Sequence, residues 1–251
     1  EYSNQLEAKS GELTTTARKL RDANDKLTKL SIQKDAFLSQ ISHELRTPMT
    51  SIRAFSEILQ NPDLSDGDRP KYARIIEDET QRLTRLLDDL LDLSVLENGQ
   101  VSLDLRQARL REILDRAQAS ANVDEQIRIR RSAGREDISI LTDPDRLTQV
   151  FINLMSNAAK YCEAQRPKLT VIVTEAPAAI TVDFIDNGAG VDHANQDMIF
   201  EKFSRASDHS KAGGAGLGLA ICREIITNLG GQISYLPGQR GAAFRISLPR
   251  D

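Results

Sequence analysis

The sequence lacks the features that would place it among membrane-spanning or secreted proteins. Its 251 residues contain no tryptophan, and no apolar run approaches the roughly 18 residues that span a bilayer. The chain also lacks a signal-peptide core at its N-terminus. We therefore expect a cytoplasmic protein that is long enough for two domains.

Cysteine and excess basic charge are also scarce, which excludes two further classes of function. Cys162 and Cys222 are far apart and lack ligand-like neighbours, so neither a disulfide framework nor a zinc site is expected, and both should be packing residues. The formal charge of −4 leaves no surplus of Lys and Arg for a phosphate backbone. Nucleic acid is therefore not a predicted partner.

Helical patterns occupy residues 1–99. Leu6, Leu13, Leu20 and Leu27 are seven residues apart, which indicates a coiled coil over residues 1–34 with an imperfect seam. The helix should continue to about residue 60, where "NPDLSDGDRP" predicts a turn, and a second amphipathic helix should end at the "NG" of residues 98 and 99. Each helix of this hairpin buries only one face, so we expect a dimer that completes a four-helix bundle.

Residues 100–251 alternate between strand and helix patterns. One predicted helix begins with Asp143 as its N-cap and Pro144 at its first position. A second predicted helix runs from Gly216 to Gly230. Strands are predicted in "QIRIRRS", "DISILTD", "KLTVIVTEAPAAITVDFID" and "GQISYLPGQRGAAFRISLP". Strands gathered on one face of a few helices predict an α+β sandwich.

The helix that follows Asp143 has a polar face with the residue types that bind a nucleotide. Asn oxygens suit Mg²⁺, a lysine suits a phosphate, and an aromatic ring can cover a base or sugar. An ordinary solvated face is an equally good interpretation of this helix alone. The polar face carries Asn153, Asn157, Lys160 and Tyr161, and the opposite face carries Leu147, Phe151, Leu154 and Ala158.

Two glycine clusters follow this helix. In "DFIDNGAG", Asp186 at a strand end can accept a hydrogen bond from an exocyclic amine such as that of adenine, and Gly188 and Gly190 let the backbone approach a flat ring. In "GGAGLGLA", Gly214, Gly216 and Gly218 open a helix whose N–H groups can face phosphates. The run lacks the Gly-Lys-Ser/Thr ending of a Walker loop, and it follows a loop, unlike a dinucleotide fingerprint.

Five motifs in order, "HELRTP", "NLMSNAAKY", "DNGAG", "FEKFSR" and "GAGLGLAI", closely resemble the H, N, G1, F and G2 boxes of sensor histidine kinases of two-component systems. The resemblance implies a dimerisation and histidine-phosphotransfer hairpin over residues 35–99 and a Bergerat-type ATP-binding domain over residues 100–251. Residues 1–34 resemble the signalling helix that joins such kinases to a sensor domain. The implied partners are a second copy of the chain, a response regulator receiver domain and an upstream sensor, which can be membrane-bound.

The same resemblance implies roles for individual residues. Asn157 would hold Mg²⁺, Asp186 would bind adenine, and residues 187–215 would form the ATP lid. Phe200, Phe203, Lys202 and Arg205 fall in this lid, where core packing for the two rings and solvation for the two charges are the alternatives. The nucleotide site would also include Asn153, Lys160, Tyr161, Gly188, Gly190, Arg205, Gly214, Gly216, Leu217 and Gly218.

The resemblance makes His43 the phosphoacceptor. A neutral imidazole has an unprotonated nitrogen that can attack the γ-phosphoryl group of ATP, and Glu44 resembles the acidic residue that hydrogen-bonds the other ring nitrogen. Pro48 should bend the helix just past His43. Thr47 lies one turn from His43 and could position a water for dephosphorylation of the regulator, or it could simply donate to a carbonyl within its own helix.

The predicted function is ATP-dependent autophosphorylation of His43, transfer of the phosphoryl group to an aspartate of a response regulator, and a regulator phosphatase activity. Two alternatives remain open. One is an ATP-driven conformational machine, because type II topoisomerases and mismatch-repair ATPases have a similar ATP-binding fold but lack "HELRTP" on a hairpin. The other is a non-catalytic dimeric adaptor with a vestigial ATP site, against which the intact Asn157, Asp186 and glycine clusters argue.

Overall fold

A computed structural model describes residues 2–97, 102–132, 136–196, 198–204 and 216–250. The chain divides into two compact units, Glu1–Thr80 and Gln81–Asp251. The division falls within the second helix. No helix among the described residues is both long and apolar enough to cross a bilayer.

The N-terminal unit is formed by α1, Tyr2–Leu59, and the first turns of α2, Arg69–Glu97. These two helices confirm the predicted hairpin. Leu20 and Leu27 of the predicted coiled-coil seam are 72% and 65% exposed, whereas the side chains of Leu6 and Leu13 lie outside the described residues. The predicted end of α2 at residues 98 and 99 also lies outside them.

The turn between the helices is held by specific contacts. The guanidinium group of Arg69 donates to the carbonyl oxygens of Leu59 and Asn61, at 3.2 and 3.4 Å, and so satisfies acceptors that the end of α1 leaves open. The rings of Phe55 and Tyr72 stack at a centroid distance of 5.5 Å. These contacts fix where the chain reverses.

The C-terminal unit contains a five-stranded sheet in the order β2-β4-β5-β7-β6. Neighbouring strands are antiparallel except for β2 and β4, which are parallel. A separate antiparallel pair joins β1 to β3. The elements in chain order are β1 Arg106–Arg109, α3 Leu110–Ala121, β2 Arg128–Arg131, β3 Ser139–Thr142, α4 Pro144–Tyr161, β4 Lys168–Glu175, β5 Ala179–Asp186, α5 Gly218–Asn228, β6 Gln232–Tyr235 and β7 Ala243–Pro249.

This architecture confirms the predicted α+β class and every predicted strand. The structure adds β1 and α3, for which the sequence patterns gave no prediction. The buried face of α3 consists of Leu110, Ile113, Leu114 and Ala117, which recur at helical spacing and pack this helix beside α4. The signal was therefore present, in a helix of only 12 residues.

The core lies between the sheet and its helices. Alternate residues of β4 and β5 are buried, as expected for a sheet that is covered on one face, and Asp183 on the other face of β5 is buried as the ion-pair partner of Arg245. The rings of Phe151 on α4 and Phe184 on β5 meet at 5.3 Å. Cys162 and Cys222 are both buried, which confirms their prediction as packing residues, and burial raises the pKa of the Cys222 thiol to about 12.

Candidate active site

His43 is exposed on α1, where it borders an open groove of about 520 Å³. The groove runs along one face of the helix because its residues recur at helical spacing. An exposed imidazole on this face is accessible to a reagent or a partner from solvent. The groove is lined by His43, Arg46, Thr47, Thr50, Ser51, Ala54 and Phe55.

The backbone around His43 is altered by Pro48, which is buried within α1. Proline has no N–H, so the carbonyl of Glu44 receives no helical hydrogen bond from this position. The hydroxyl of Thr47 donates to the carbonyl oxygen of His43 at 3.3 Å. The sequence indicated two roles for Thr47, this hydrogen bond within the helix and the positioning of a water. The hydrogen bond uses the hydroxyl proton, so the oxygen lone pairs of Thr47 remain available as acceptors.

A cavity of about 530 Å³ lies in the C-terminal unit and collects the residues of the predicted nucleotide site. α4 and the end of β5 form two of its walls, the N-terminus of α5 forms a third, and Asp89 of α2 lies at its edge. The predicted site residues that line it are Asn153, Asn157, Lys160, Tyr161, Asp186, Gly190, Gly216, Leu217 and Gly218. Side chains distant in sequence thus meet at one cavity.

The orientation of α4 is set at its first turn. The Asp143 carboxylate accepts the N–H groups of Asp145 and Arg146, both at 3.1 Å, and also that of Asp104. Pro144 occupies the first helical position, where its missing N–H costs nothing. The predicted cap is confirmed, and it fixes which face of α4 turns toward the cavity.

Asp186 ends β5 with its carboxylate held in one orientation. Its Oδ1 accepts the N–H of Gly188 at 2.8 Å and the N–H of Ala242 at 3.0 Å. Among the described residues nothing donates to Oδ2, so this oxygen is available to a ligand in the cavity. Burial raises the pKa of Asp186, and the two N–H donors oppose that rise. The arrangement suits an amine donor such as that of adenine.

Gly241 explains why the Asp186 carboxylate and the loop before β7 can approach so closely. A Cβ at this glycine would lie 2.2 Å from the carbonyl oxygen of Asp186 and 2.5 Å from its Oδ1. No side chain fits there without displacing the carboxylate. Gly188 donates its N–H to the same carboxylate, and a Cβ there would lie 3.2 Å from both Asp186 Oδ1 and the Cα of Cys162, so its predicted place in the nucleotide site stays a prediction.

The polar face of α4 extends the cavity away from Asp186. Asn153 and Asn157 are partly buried, whereas Lys160 and Tyr161 are exposed. Partial removal of its ammonium group from water lowers the pKa of Lys160, and nearby Arg85 acts in the same direction, against Asp89. A lysine held in this way provides a positive charge for a phosphate.

Asp89 is a cavity residue that the sequence analysis missed. Burial raises its pKa to about 6, and the negative charges of Asp92 and Asp88 add to the rise. It lies on α2, in an acidic stretch that has no motif of its own. Nothing in the sequence indicated that this turn faces α4.

The glycines before α5 allow the backbone to pack closely around the cavity. Gly216 has φ +72°, and a Cβ there would lie 2.8 Å from the backbone of Phe203. A Cβ at Gly218 would lie 3.4 Å from the side-chain oxygen of Asn153. The first N–H groups of α5 therefore stand beside the asparagine face of α4, where an anion would be favoured.

Part of the predicted lid is described. Phe200 and Phe203 are buried, and the Phe200 ring meets Phe244 edge-on at 6.2 Å, which supports the packing interpretation of both rings. Lys202 forms an ion pair with Glu97. His193 is exposed in a short 3₁₀ helix, His193–Asn195. Arg205, His209 and Gly214 lie outside the described residues.

Two family models match separate parts of the chain. The model of the His Kinase A (phospho-acceptor) domain matches residues 33–99, and the model of the histidine kinase-, DNA gyrase B- and HSP90-like ATPase matches residues 142–251. The chain belongs to the sensor histidine kinases of two-component systems.

Its relatives include sensor protein kinases called WalK. That of Staphylococcus aureus is 34% identical over 224 residues, which are 85% of this chain and 53% of the relative. That of Staphylococcus saprophyticus is 34% identical over 223 residues, which are 85% of this chain and 36% of the relative. The chain thus spans about a third to about a half of the length of these curated relatives.

Solved histidine kinases share the fold. The match to the Acinetobacter baumannii histidine kinase AdeS covers 83% of this chain and 98% of the AdeS chain, with a TM-score of 0.69 and 24% sequence identity. The match to histidine kinase ThkA, in a crystal structure with response regulator protein TrrA, covers 89% of this chain and 63% of the ThkA chain, with a TM-score of 0.71 and 24% sequence identity. At this identity the likeness concerns the fold alone.

Proposed function

We propose that this chain is an ATP-dependent protein histidine kinase that phosphorylates His43 and passes the phosphoryl group to an aspartate of a response regulator. The observation that carries the proposal is the cavity in which Asn153, Asn157 and Lys160 of α4 meet the anchored carboxylate of Asp186. This cavity occurs in the same chain as an exposed histidine within the matched phospho-acceptor domain.

Adenine would bind at the end of the cavity formed by Asp186. Oδ2 accepts the exocyclic amine, while Oδ1 stays with its two backbone donors. The ring of Phe244 and the side chain of Leu217 supply apolar surface at the same cavity. The base is thus recognised by a fixed acceptor in a partly apolar pocket.

The phosphates would lie along α4 and the N-terminus of α5. Lys160 and the N–H groups that follow Gly216 supply positive potential there. The side-chain oxygens of Asn157 and Asn153 suit a hard cation, and Mg²⁺ held mainly by substrate phosphates needs few protein ligands. Bound Mg²⁺ would neutralise charge on the phosphates. The described residues contain no group of three or more His, Cys, Asp or Glu side chains that could hold a metal ion by itself.

His43 would act as the nucleophile. Its unprotonated ring nitrogen forms a bond to the γ-phosphorus as the bond to the bridging oxygen breaks, and ADP leaves with that electron pair. Glu44 would hold the other ring nitrogen and stabilise the positive charge that develops on the imidazole. The phosphorylated histidine would then donate its phosphoryl group to the carboxylate of a regulator aspartate.

The proposal also states how the chain dimerises and how it is divided into domains. A homodimer would cover the apolar faces of the hairpin over residues 35–99, and residues 1–34 would form the coiled coil that connects it to a sensor. Residues 100–251 would form the ATP-binding domain. The exposure of Leu20 and Leu27 supports a seam that requires a partner helix. ThkA's crystal structure with TrrA supports the choice of a response regulator as partner.

The deciding experiment incubates the purified chain with Mg²⁺ and ATP labelled at the γ-phosphate. We expect a label on the protein that is labile in acid and stable in base, as phosphohistidine is. His43→Gln should abolish the label while adenine nucleotide still binds, because the histidine and the nucleotide cavity lie in different parts of the chain.

The alternatives give different outcomes in the same experiment. ATP hydrolysis without a protein-bound label would favour a conformational ATPase, and the absence of both nucleotide binding and label would favour a non-catalytic adaptor. Labelling of His43→Gln at the original rate would reject His43 as the phosphoacceptor.

We also propose a regulator phosphatase activity in which Thr47 positions the attacking water. Thr47→Ala should then lose regulator dephosphorylation and keep autophosphorylation. If the hydrogen bond to the carbonyl of His43 is its whole role, both activities should fall together with the stability of the helix. Measuring both rates and the thermal unfolding of this variant separates the two roles.

A further inference from the structure

The rim of the ATP cavity includes the segment that leaves β5, and two side chains from outside the cavity form hydrogen bonds to this segment. Residues 189–192 all line the cavity. The N–H of Val191 donates to the phenol oxygen of Tyr235 at 3.2 Å, and the carbonyl of Val191 accepts from Gln196 at 3.0 Å. Both backbone groups of Val191 are thus paired with side chains and not with a neighbouring strand.

Tyr235 is itself held in place. It ends β6 and pairs with Phe244 of β7 in the sheet register. The two rings meet edge-to-face at 5.8 Å, and Phe244 lines the cavity. Aromatic contacts of this kind restrict the ring, so the phenol oxygen is presented to Val191 from a fixed position.

The same phenol stands close to the backbone that orients Asp186. Gly190 has φ +82°, and a Cβ there would lie 3.3 Å from the carbonyl oxygen of Gly241 and 3.5 Å from the phenol oxygen of Tyr235. The residue after Gly241 donates its N–H to Oδ1 of Asp186. The segment of residues 189–192 therefore packs between Tyr235 and the loop that holds the adenine-binding carboxylate.

We propose that Tyr235 is a positioning residue for nucleotide binding, because its phenol oxygen orders residues 189–192 along the cavity before ATP arrives. The proposal rests on the ATP-binding function proposed above. With the hydroxyl present, the segment is already ordered in the free protein, so little conformational entropy is lost when the nucleotide binds. Without the hydroxyl, the nucleotide must order the segment itself, and affinity falls.

The test is Tyr235→Phe in the full 251-residue chain, which keeps the ring contact with Phe244 and removes only the acceptor for Val191. We expect the dissociation constant of a fluorescent ATP analogue, and the KM for ATP in labelling of His43, to rise about three- to tenfold. The maximal labelling rate should not change, because the phenol does not contact the reacting groups. The Val191 amide should exchange its hydrogen with solvent faster in the free variant.

Tyr72→Phe is the matched control, since it removes a hydroxyl from a stacked tyrosine of the N-terminal unit, and it should leave affinity unchanged. An unchanged dissociation constant and KM in Tyr235→Phe would overturn the proposal, even if the melting temperature falls, as would unchanged exchange at Val191. If the parent chain itself binds no adenine nucleotide, the proposed function fails and takes this proposal with it. If the parent chain binds ATP and Tyr235→Phe binds it equally well, the role of Tyr235 is refuted and the proposed function stands.

Discussion

Replacing Asp186 by asparagine is a sharp test of how the cavity recognises its base, because the structure dictates which way the amide must point. Oδ1 accepts two backbone N–H groups, from Gly188 and Ala242. An NH₂ group in that position would face two donors, so the amide oxygen of the variant must take the place of Oδ1. The NH₂ group then replaces Oδ2 and presents a donor to the exocyclic amine of adenine.

The size of the effect follows from the bond that is lost. A hydrogen bond to a charged acceptor contributes about 1.5–3 kcal/mol, which corresponds to a loss of about 10- to 150-fold in affinity. GTP binding should fall less than ATP binding, because guanine presents an oxygen where adenine has its amine. The variant should therefore change nucleotide preference as well as affinity.

Folding should survive this substitution. Burial raises the pKa of Asp186 in the folded protein above its value in the unfolded chain. The protonated side chain therefore costs no folding stability at low pH, whereas ionisation lowers the folding stability as the pH rises through the folded pKa. A neutral asparagine avoids that loss and keeps both backbone hydrogen bonds. The melting temperature at pH 7.5 should thus be equal to or above that of the parent.

Calorimetric titration with ATP and GTP, together with thermal unfolding, measures all three expectations. Asp137→Asn serves as the control, since this carboxylate forms an exposed ion pair with Arg109 on the domain surface. Unchanged ATP affinity in Asp186→Asn would refute the assignment of Oδ2 to the base. A large drop in melting temperature would contradict the expectation that folding tolerates a neutral side chain at this position.

Two further predictions concern residues that surround the cavity. Gly241→Ala should weaken ATP binding at least tenfold and destabilise the domain by about 1–3 kcal/mol, because its methyl group would displace Asp186. The control Gly238→Ala lies in open space in the same loop, so it should lower stability through its φ of +83° and leave ATP affinity unchanged. Equal ATP affinities in the two variants would contradict this prediction. Asp89→Asn should raise the stability of the domain at pH 7.5 by on the order of 1 kcal/mol, because the folded pKa of about 6 makes the ionised carboxylate unfavourable above that pH. The gain should vanish below pH 4 in thermal unfolding measured across pH, and a gain that is independent of pH would contradict the role of charge.

The fold was predictable wherever one segment carried its own periodicity. The face of α4, with Asn153 and Asn157 opposite Leu147 and Phe151, could be read from spacing because all four residues belong to one helix. The cap at Asp143 was equally local. α3 was missed although its apolar residues recur at helical spacing, because its 12 residues follow a stretch without a strong strand or turn signal.

The part of the site that could not be predicted is made by contacts between distant segments. Gly241 and Ala242 hold Asp186 from 55 and 56 residues away, and neither carries a functional group in its side chain. Tyr235 acts on Val191 through a bond across 44 residues. A pattern in one segment has no means of indicating such pairs, since the sheet topology decides which loop meets which strand end.

The last turns of α2 show why the cavity is more than the ATP-binding fold by itself. Asp92 accepts from Gln149 at 2.8 Å and from Arg146 at 3.4 Å, both near the start of α4, and Glu97 pairs with Lys202 in the predicted lid. Asp89, about one turn before Asp92 on α2, lies at the edge of the cavity. Each such ion pair at a partly exposed surface is worth only about 0–1 kcal/mol, so these contacts can break and form again at little cost. Because residues 89–97 of α2 supply a carboxylate at the cavity edge and contact both α4 and the predicted lid, this part of α2 belongs to the surroundings of the cavity.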